Sequence, residues 1–178
     1  ALKQKILKIS ESGDPIASIL KVGEASNLEK TFSLPNDQKV LVICVGEGEM
    51  NVGLGVTDAG SLLTGDGKTI WSMNVLFKTF NDGGAFKNRI ALGCLNLKKG
   101  DYKITYATDV GHSYGTWNAI APPDSSWYGI QVLSLSESDY NAINQLNEKE
   151  INSDKFIPME VGTCIEFSKR FNNVLWLG

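Results

Sequence analysis

Histidine is nearly missing from this chain: His112 is the only one in 178 residues. A catalytic triad needs a histidine that bridges a nucleophile and a carboxylate. Here it could form only around His112, beside Ser113 and near Asp109, and no GxSxG turn supplies a nucleophile elsewhere. Cysteine is scarce as well. Cys44, Cys94 and Cys164 form an odd set without CxxC spacing, so no recognised zinc pattern is present. Cys44 and Cys94 lie within the apolar runs "VLVICVG" and "IALGCLNL" and read as buried free thiols; a disulfide between them is the other arrangement open. Positive charge is in deficit, with 17 Lys and Arg against 20 Asp and Glu. The longest basic clusters are the pairs Lys98-Lys99 and Lys169-Arg170, too little for a phosphate-binding face, so nucleic acid is not an expected partner.

Long apolar runs are absent too. None approaches the ~18 residues of a membrane span. The opening "ALKQKILKIS" is too charged to read as a signal peptide, and on this point a processed exported chain and a cytosolic chain look alike. "GLGVTDAG" lacks the lysine of a phosphate loop, and "DAGSLLTGDG" lacks the closing glutamate of a calcium loop. No cofactor and no metal is expected.

What the chain has is glycine, 18 residues of it, and short apolar segments between turns. "QKILKI" and "IASILKV" flank the turn "SGDP" and read as a strand pair. "LEKTFSL" and "KVLVICV" follow, the latter an unbroken run suited to a strand buried on both faces. "MNVGLGV" sets Val52, Leu54 and Val56 against a flat glycine face. "TGDGK" is a hairpin turn leading to the strand "TIWSMNVLF". "NDGGAFKN" is loop, and "RIALGCLNL" and "YKITYAT" read as a hairpin around "KKGD". In the latter, Tyr102, Ile104 and Tyr106 share a face. "YGIQVLSL" is a further strand. Ser136 caps a helix over about 137–149, with Asp139 at the capping-box position and Tyr140, Ile143 and Leu146 on one side. The expectation is an all-β, antiparallel, jelly-roll-like sandwich in one domain over 1–178. Its core spans about 14–135, one short helix follows, and C-terminal strands over 156–177 pack on it.

One stretch departs from the rest: "DYKITYATDVGHSYGTWNAIAPPDSSWYGI", residues 101–130. It holds the single histidine, two of the four tryptophans and four of the five tyrosines. A loop of ~20 residues inside a compact domain is either functional or specially packed. Trp117 and Trp127 offer flat apolar faces for stacking on a sugar ring or for pinning the loop down. Asp109, His112, Tyr114, Asn118 and Asp124 add the hydrogen-bonding groups a polar ligand needs. The structural reading stands ahead: tryptophan anchors, Asp109 and Asn118 as turn formers, Pro122-Pro123 as a stiffener, and Lys87-Asn88-Arg89 as a solvated start of a strand.

"KTFSLPNDQKVLVICVGEGEM", "GKTIWSMN", "GGAFKNR" and "LKKGDYKITYATDVGHSYGTWNAIAPPDSSWYGI" together resemble, in that order, a family of bacterial extracytoplasmic β-domains. That family's pattern has a Gly-Glu-Gly segment, a Val-Trp-x-Met strand and a Gly-Gly-Ala-x-Lys-Asn-Arg loop. A Ser-Asp-x-x-His-Ser/Ala-Tyr loop, Trp-Asn, Pro-Pro and Trp-Gly-Ile follow. The matching positions here are Trp71, Met73, Gly83, Gly84, Ala85, Lys87, Asn88, Arg89, Asp109, His112, Ser113, Tyr114, Trp117, Asn118, Pro122 and Pro123. The chain departs at "NVGLGV", where the family has Asp-Tyr-Gly-Trp-Ile, and at "WYGI". The resemblance implies a fold and a secreted, periplasmic or cell-surface location, with no chemistry attached. The leading expectation is a non-catalytic binding or accessory module for a glycan or another polar ligand, not an enzyme. The alternatives are a hydrolase using Asp109 and His112, and a structural or protein-interaction domain.

Overall fold

Alternating and unbroken apolar segments become eleven strands in a computed structural model that describes residues 8, 15–49, 55–74, 79–143, 165–166 and 175–176. They are β1 (Pro15–Leu20), β2 (Asn27–Leu34), β3 (Gln38–Glu49), β4 (Gly55–Thr64), β5 (Thr69–Ser72), β6 (Phe80–Asn81), β7 (Asn88–Leu97), β8 (Gly100–Ala107), β9 (Gly129–Ser134), β10 (Ile165–Glu166) and β11 (Leu175–Trp176). Pairing among the first nine gives two antiparallel layers, β1-β9-β3-β7-β6 and β2-β8-β4-β5. That is the jelly-roll order, in keeping with the all-β, jelly-roll-like sandwich expected from the sequence. β10 and β11 pair with each other.

β3 joins the layers. Its first ten residues pair with β7, from Gln38 opposite Leu97 to Glu47 opposite Asn88. Glu47 also lies opposite Asp58 of β4, and past a bulge Gly48 and Glu49 pair with Val56 and Gly55. Gly46 is needed at this corner, because a Cβ there would sit 2.0 Å from the carbonyl oxygen of Asp58. The unbroken run in β3 is buried throughout, with Val40 to Val45 at 1% exposure or less. Tyr102, Ile104 and Tyr106 of β8 turn the same way into the core, as their alternation required.

Two expectations change. β7 and β8 do not form a hairpin. β7 pairs with β3 and β6, β8 with β2 and β4, and the short "KK" link crosses between layers. A tight turn and a tight interlayer link have the same composition, so sequence could not separate them. β1 takes β9 as its partner; apart from Lys8, "QKILKI" lies outside the described residues. Cys44 and Cys94 are both free. Cys44 stands opposite Ala91 and Cys94 opposite Leu41, an odd number of positions apart on neighbouring strands and hence on opposite faces. The "TGDGK" turn does join β4 to β5, though the second strand ends at Ser72. The helix spans 137–143 within the described residues, and Ser136 Oγ accepts from the Asp139 N–H at 3.1 Å. Ile143 joins the core beside a partly buried Tyr140; Val52, Leu54, Leu146, Cys164 and most of 156–177 lie outside the described residues.

Candidate functional site

The 108–128 loop begins where β8 ends and returns where β9 begins. Its first arm is clasped by residues 22–26. Thr108 Oγ1 donates to Gly23 C=O at 2.7 Å and accepts from the Ser26 N–H at 2.9 Å, while the Ala25 N–H donates to Asp109 C=O. Its second arm docks on the "GGAFKN" loop. The Ala85 N–H donates to Ile120 C=O at 2.9 Å, and a Cβ at Gly84 would lie 2.2 Å from Ala121 oxygen. Gly84 also has φ +71°, a backbone state that glycine reaches without strain. The Gly-Gly pair is therefore a landing surface for the aromatic loop.

Asn88, at 0% exposure, ties these parts together. Its Nδ2 donates to Gly83 C=O at 2.7 Å and to Ile120 C=O at 2.9 Å. Those two contacts fix the amide, so Oδ1 is the acceptor that meets His112 Nε2 at 2.7 Å. His112 must then carry hydrogen on Nε2. The other ring nitrogen, Nδ1, lies 3.0 Å from the Asn118 amide oxygen. Burial first, and the positive charge of Lys87 second, hold His112 below its ordinary value. A neutral ring has an Nδ1 lone pair, so the exposed Asn118 amide is assigned with its NH2 toward the ring.

A second knot lies beneath. Tyr128 is fully buried, and its hydroxyl is 2.5 Å from Asp58 Oδ2 and 2.7 Å from His112 C=O. Asp58 Oδ1 accepts from the Asp109 N–H at 2.9 Å. Glu47, Asp58 and Asp109 each offer a carboxylate oxygen within 4.8 Å of the others. Lys87 Nζ sits 2.6 Å from Glu47 Oε1 and offsets one of these charges. Burial pushes the Asp58 carboxyl up to about 6, and its acidic neighbours Asp109 and Glu47 add to the rise. Burial likewise pushes the Tyr128 phenol far above its ordinary value, so it keeps its proton.

Aromatic rings close the knot. Trp117 meets Tyr128 edge-to-face at 4.9 Å, His112 at 5.0 Å and Tyr114 at 6.4 Å. Trp127 ends the 3-10 turn Ser125–Trp127, its N–H on Asp124 C=O, and packs half-buried on the core. Of the seven expected site residues, Asp109 and Asn118 are exposed, Tyr114, Trp117, Asp124 and Trp127 are half-buried, and His112 is 1% exposed. Asp109 and His112 are not hydrogen-bonded to each other. Lys87-Asn88-Arg89 is no solvated strand start. Asn88 and Arg89 are fully buried, and Arg89 donates to the Thr79 hydroxyl and carbonyl, both at 2.8 Å. Sequence reasoning also passed over Glu47, Asp58 and Tyr128 as site residues. The acids inside strand segments, "GEGE" and "TDAG", were the available signal, because a carboxylate in a buried strand needs a partner.

No family model and no curated protein matches the chain. Among solved structures, a β-glucosidase from Kluyveromyces marxianus is similar at 14% identity and a TM-score of 0.33. The match covers 71% of this chain and 13% of that enzyme. The chain thus spans a small part of that protein, and a likeness of this size carries no argument about activity.

Proposed function

We infer that the chain is a non-catalytic binding module of a bacterial cell-surface or periplasmic protein, meeting its ligand with the solvent-facing rim of the 108–128 loop. The observation that carries this is where the loop's chemistry goes. Both His112 nitrogens, the Asn88 amide and the Tyr128 hydroxyl are committed to internal hydrogen bonds. A general base needs a lone pair aimed at a substrate, and His112 has none to spare. The reading as a hydrolase through Asp109 and His112 therefore lacks its central contact. A loop held this firmly from beneath is preorganised, which lowers the ordering cost of binding.

Asp109 and Asn118 on the rim, with the half-buried Asp124 and Trp127 beside each other, suit a polyhydroxylated ligand such as a glycan. A protein partner is the second reading, favoured by Val110 and Ile120, each 73% exposed on the two arms of the loop. The order of motifs shared with extracytoplasmic domains supports the location. A glycan array probed with the wild type, Trp127→Ala and a Val110→Asp/Ile120→Asp double variant tests the proposal. Retained binding in the double variant with loss in Trp127→Ala supports a glycan. Silence on the array, together with turnover of chromogenic glycosides or esters, would overturn the non-catalytic reading.

A further inference from the structure

We propose that Asp58 holds a proton in the folded protein and that this proton latches the 108–128 loop, making the binding rim pH-responsive. This rests on the rim being the ligand surface only for its consequence, not for its mechanism. The geometry comes first. A phenol has one hydrogen, yet the buried Tyr128 oxygen lies within bonding distance of two acceptors, Asp58 Oδ2 at 2.5 Å and His112 C=O at 2.7 Å. Given to the carboxylate, that hydrogen leaves the His112 carbonyl unbonded by Tyr128. Given to the carbonyl, it leaves two oxygens 2.5 Å apart with nothing between them. A proton on Asp58 Oδ2 resolves both: Asp58 donates to Tyr128, and Tyr128 donates to His112 C=O. Oδ1 stays an acceptor for the Asp109 N–H.

Burial and charge agree. Burial disfavours the charged carboxylate of Asp58, and the crowding of three carboxylates at one point, with Lys87 bonded to Glu47, favours keeping a proton there. The titratable groups facing Asp58 are Glu47 from β3, Asp109 from the loop and Tyr128 before β9, with Lys87, Tyr106 and His112 behind them. Glu47 and Asp109 favour retention, and the Tyr128 and Asp109 N–H contacts oppose it. Tyr106 and Tyr128 keep their own protons, since burial raises both.

The sign follows. The Asp58 carboxyl is raised from 3.8 to about 6, so its contribution is fully present below its ordinary value and is lost as pH rises through about 6. His112 acts the other way: held below 6.5, it contributes above that value and loses its contribution on acidification. Loss of the Asp58 proton turns the Tyr128 hydrogen to the carboxylate and frees the loop at residue 112. Asp58→Asn keeps a donor at the same place without titrating.

The test uses the intact chain and no ligand. The side-chain carboxyl carbon of Asp58 is followed by NMR across pH, and amide exchange of residues 108–128 is measured at about pH 5 and about pH 7.5. A carboxyl midpoint near 6 is expected. So is a loss of loop protection of about tenfold between the two pH values, after correction for intrinsic exchange, the factor that a rise from 3.8 to about 6 produces there. Asp58→Asn should hold its protection over the same range. A midpoint at or below about 4 in the wild type overturns the latch, whatever the variant does. So does a wild-type slope retained in Asp58→Asn. A working latch on a rim that binds nothing would sink the binding reading alone.

Discussion

Replacing Asn88 with alanine is the sharpest test of how the loop is held. The side chain is fully buried and makes three contacts: two donated, to Gly83 C=O and Ile120 C=O, and one accepted from His112 Nε2–H. Truncation does not orphan all three partners, because Ile120 C=O keeps the Ala85 N–H at 2.9 Å. The half-buried Gly83 carbonyl and the buried His112 N–H lose their bonds. At ~1–3 kcal/mol per unsatisfied buried group, the loss is about 2–6 kcal/mol. A domain of this kind has only ~5–15 kcal/mol in total, so the variant should be visibly destabilised or unfolded. Urea titration at neutral pH reads this as a lower midpoint with an unchanged slope. Pairing Asn88→Ala with His112→Ala in a double-mutant cycle should give a coupling of ~0.5–3 kcal/mol. Asn88→Asp is the control. It still accepts from His112 but turns an oxygen toward the Gly83 and Ile120 carbonyls, and it should lose at least as much. A loss below ~1 kcal/mol in Asn88→Ala, or zero coupling, would refute the claim that this amide holds the loop.

Trp127→Ala and His112→Ala should both lower the melting temperature, with the tryptophan losing more because half of a large ring leaves the core; two unchanged melts would show that neither supports the fold. Lys87→Met should cost up to ~3–5 kcal/mol by removing the ammonium that lies 2.6 Å from the buried Glu47 carboxylate, and adding Glu47→Gln should recover most of it in thermal melts. Gly46→Ala should fail to yield folded protein by circular dichroism, because its Cβ would fall 2.0 Å from Asp58 oxygen. Cys44, fully buried with its thiol pushed far up, should resist a maleimide until the protein is unfolded, as mass mapping of the labelled peptide would report.

Strands were legible because their signal is local. The unbroken run "KVLVICV" suited a strand buried on both faces, and Tyr102, Ile104 and Tyr106 declared their side by alternation alone. Ser136 and Asp139 likewise spelled out a helix start. Partnership was not legible. "RIALGCLNL" and "YKITYAT" sit around a turn-like link, yet each pairs in a different layer, a choice made by strands far away in sequence, such as β3, where Lys39 lies opposite Asn96. The site divided in the same way. The aromatic loop stood out by composition, and His112, Asn118 and Trp117 do meet there. Their supports, Asn88 and Asp58, come from strands whose polar residues look solvated when read alone. A buried amide and a buried acid show their roles only once long-range pairing brings the loop over them.

The pairing of β1 with β9 carries a consequence for how the chain is made. Leu20 meets Gly129, and Pro15 meets Leu133, so among the described residues the sheet partner of β1 is made over a hundred residues after it. At ~5–20 residues per second of synthesis, β1 waits on the order of ten seconds for that strand. Throughout that interval its neighbours in the future sheet are not yet polymerised.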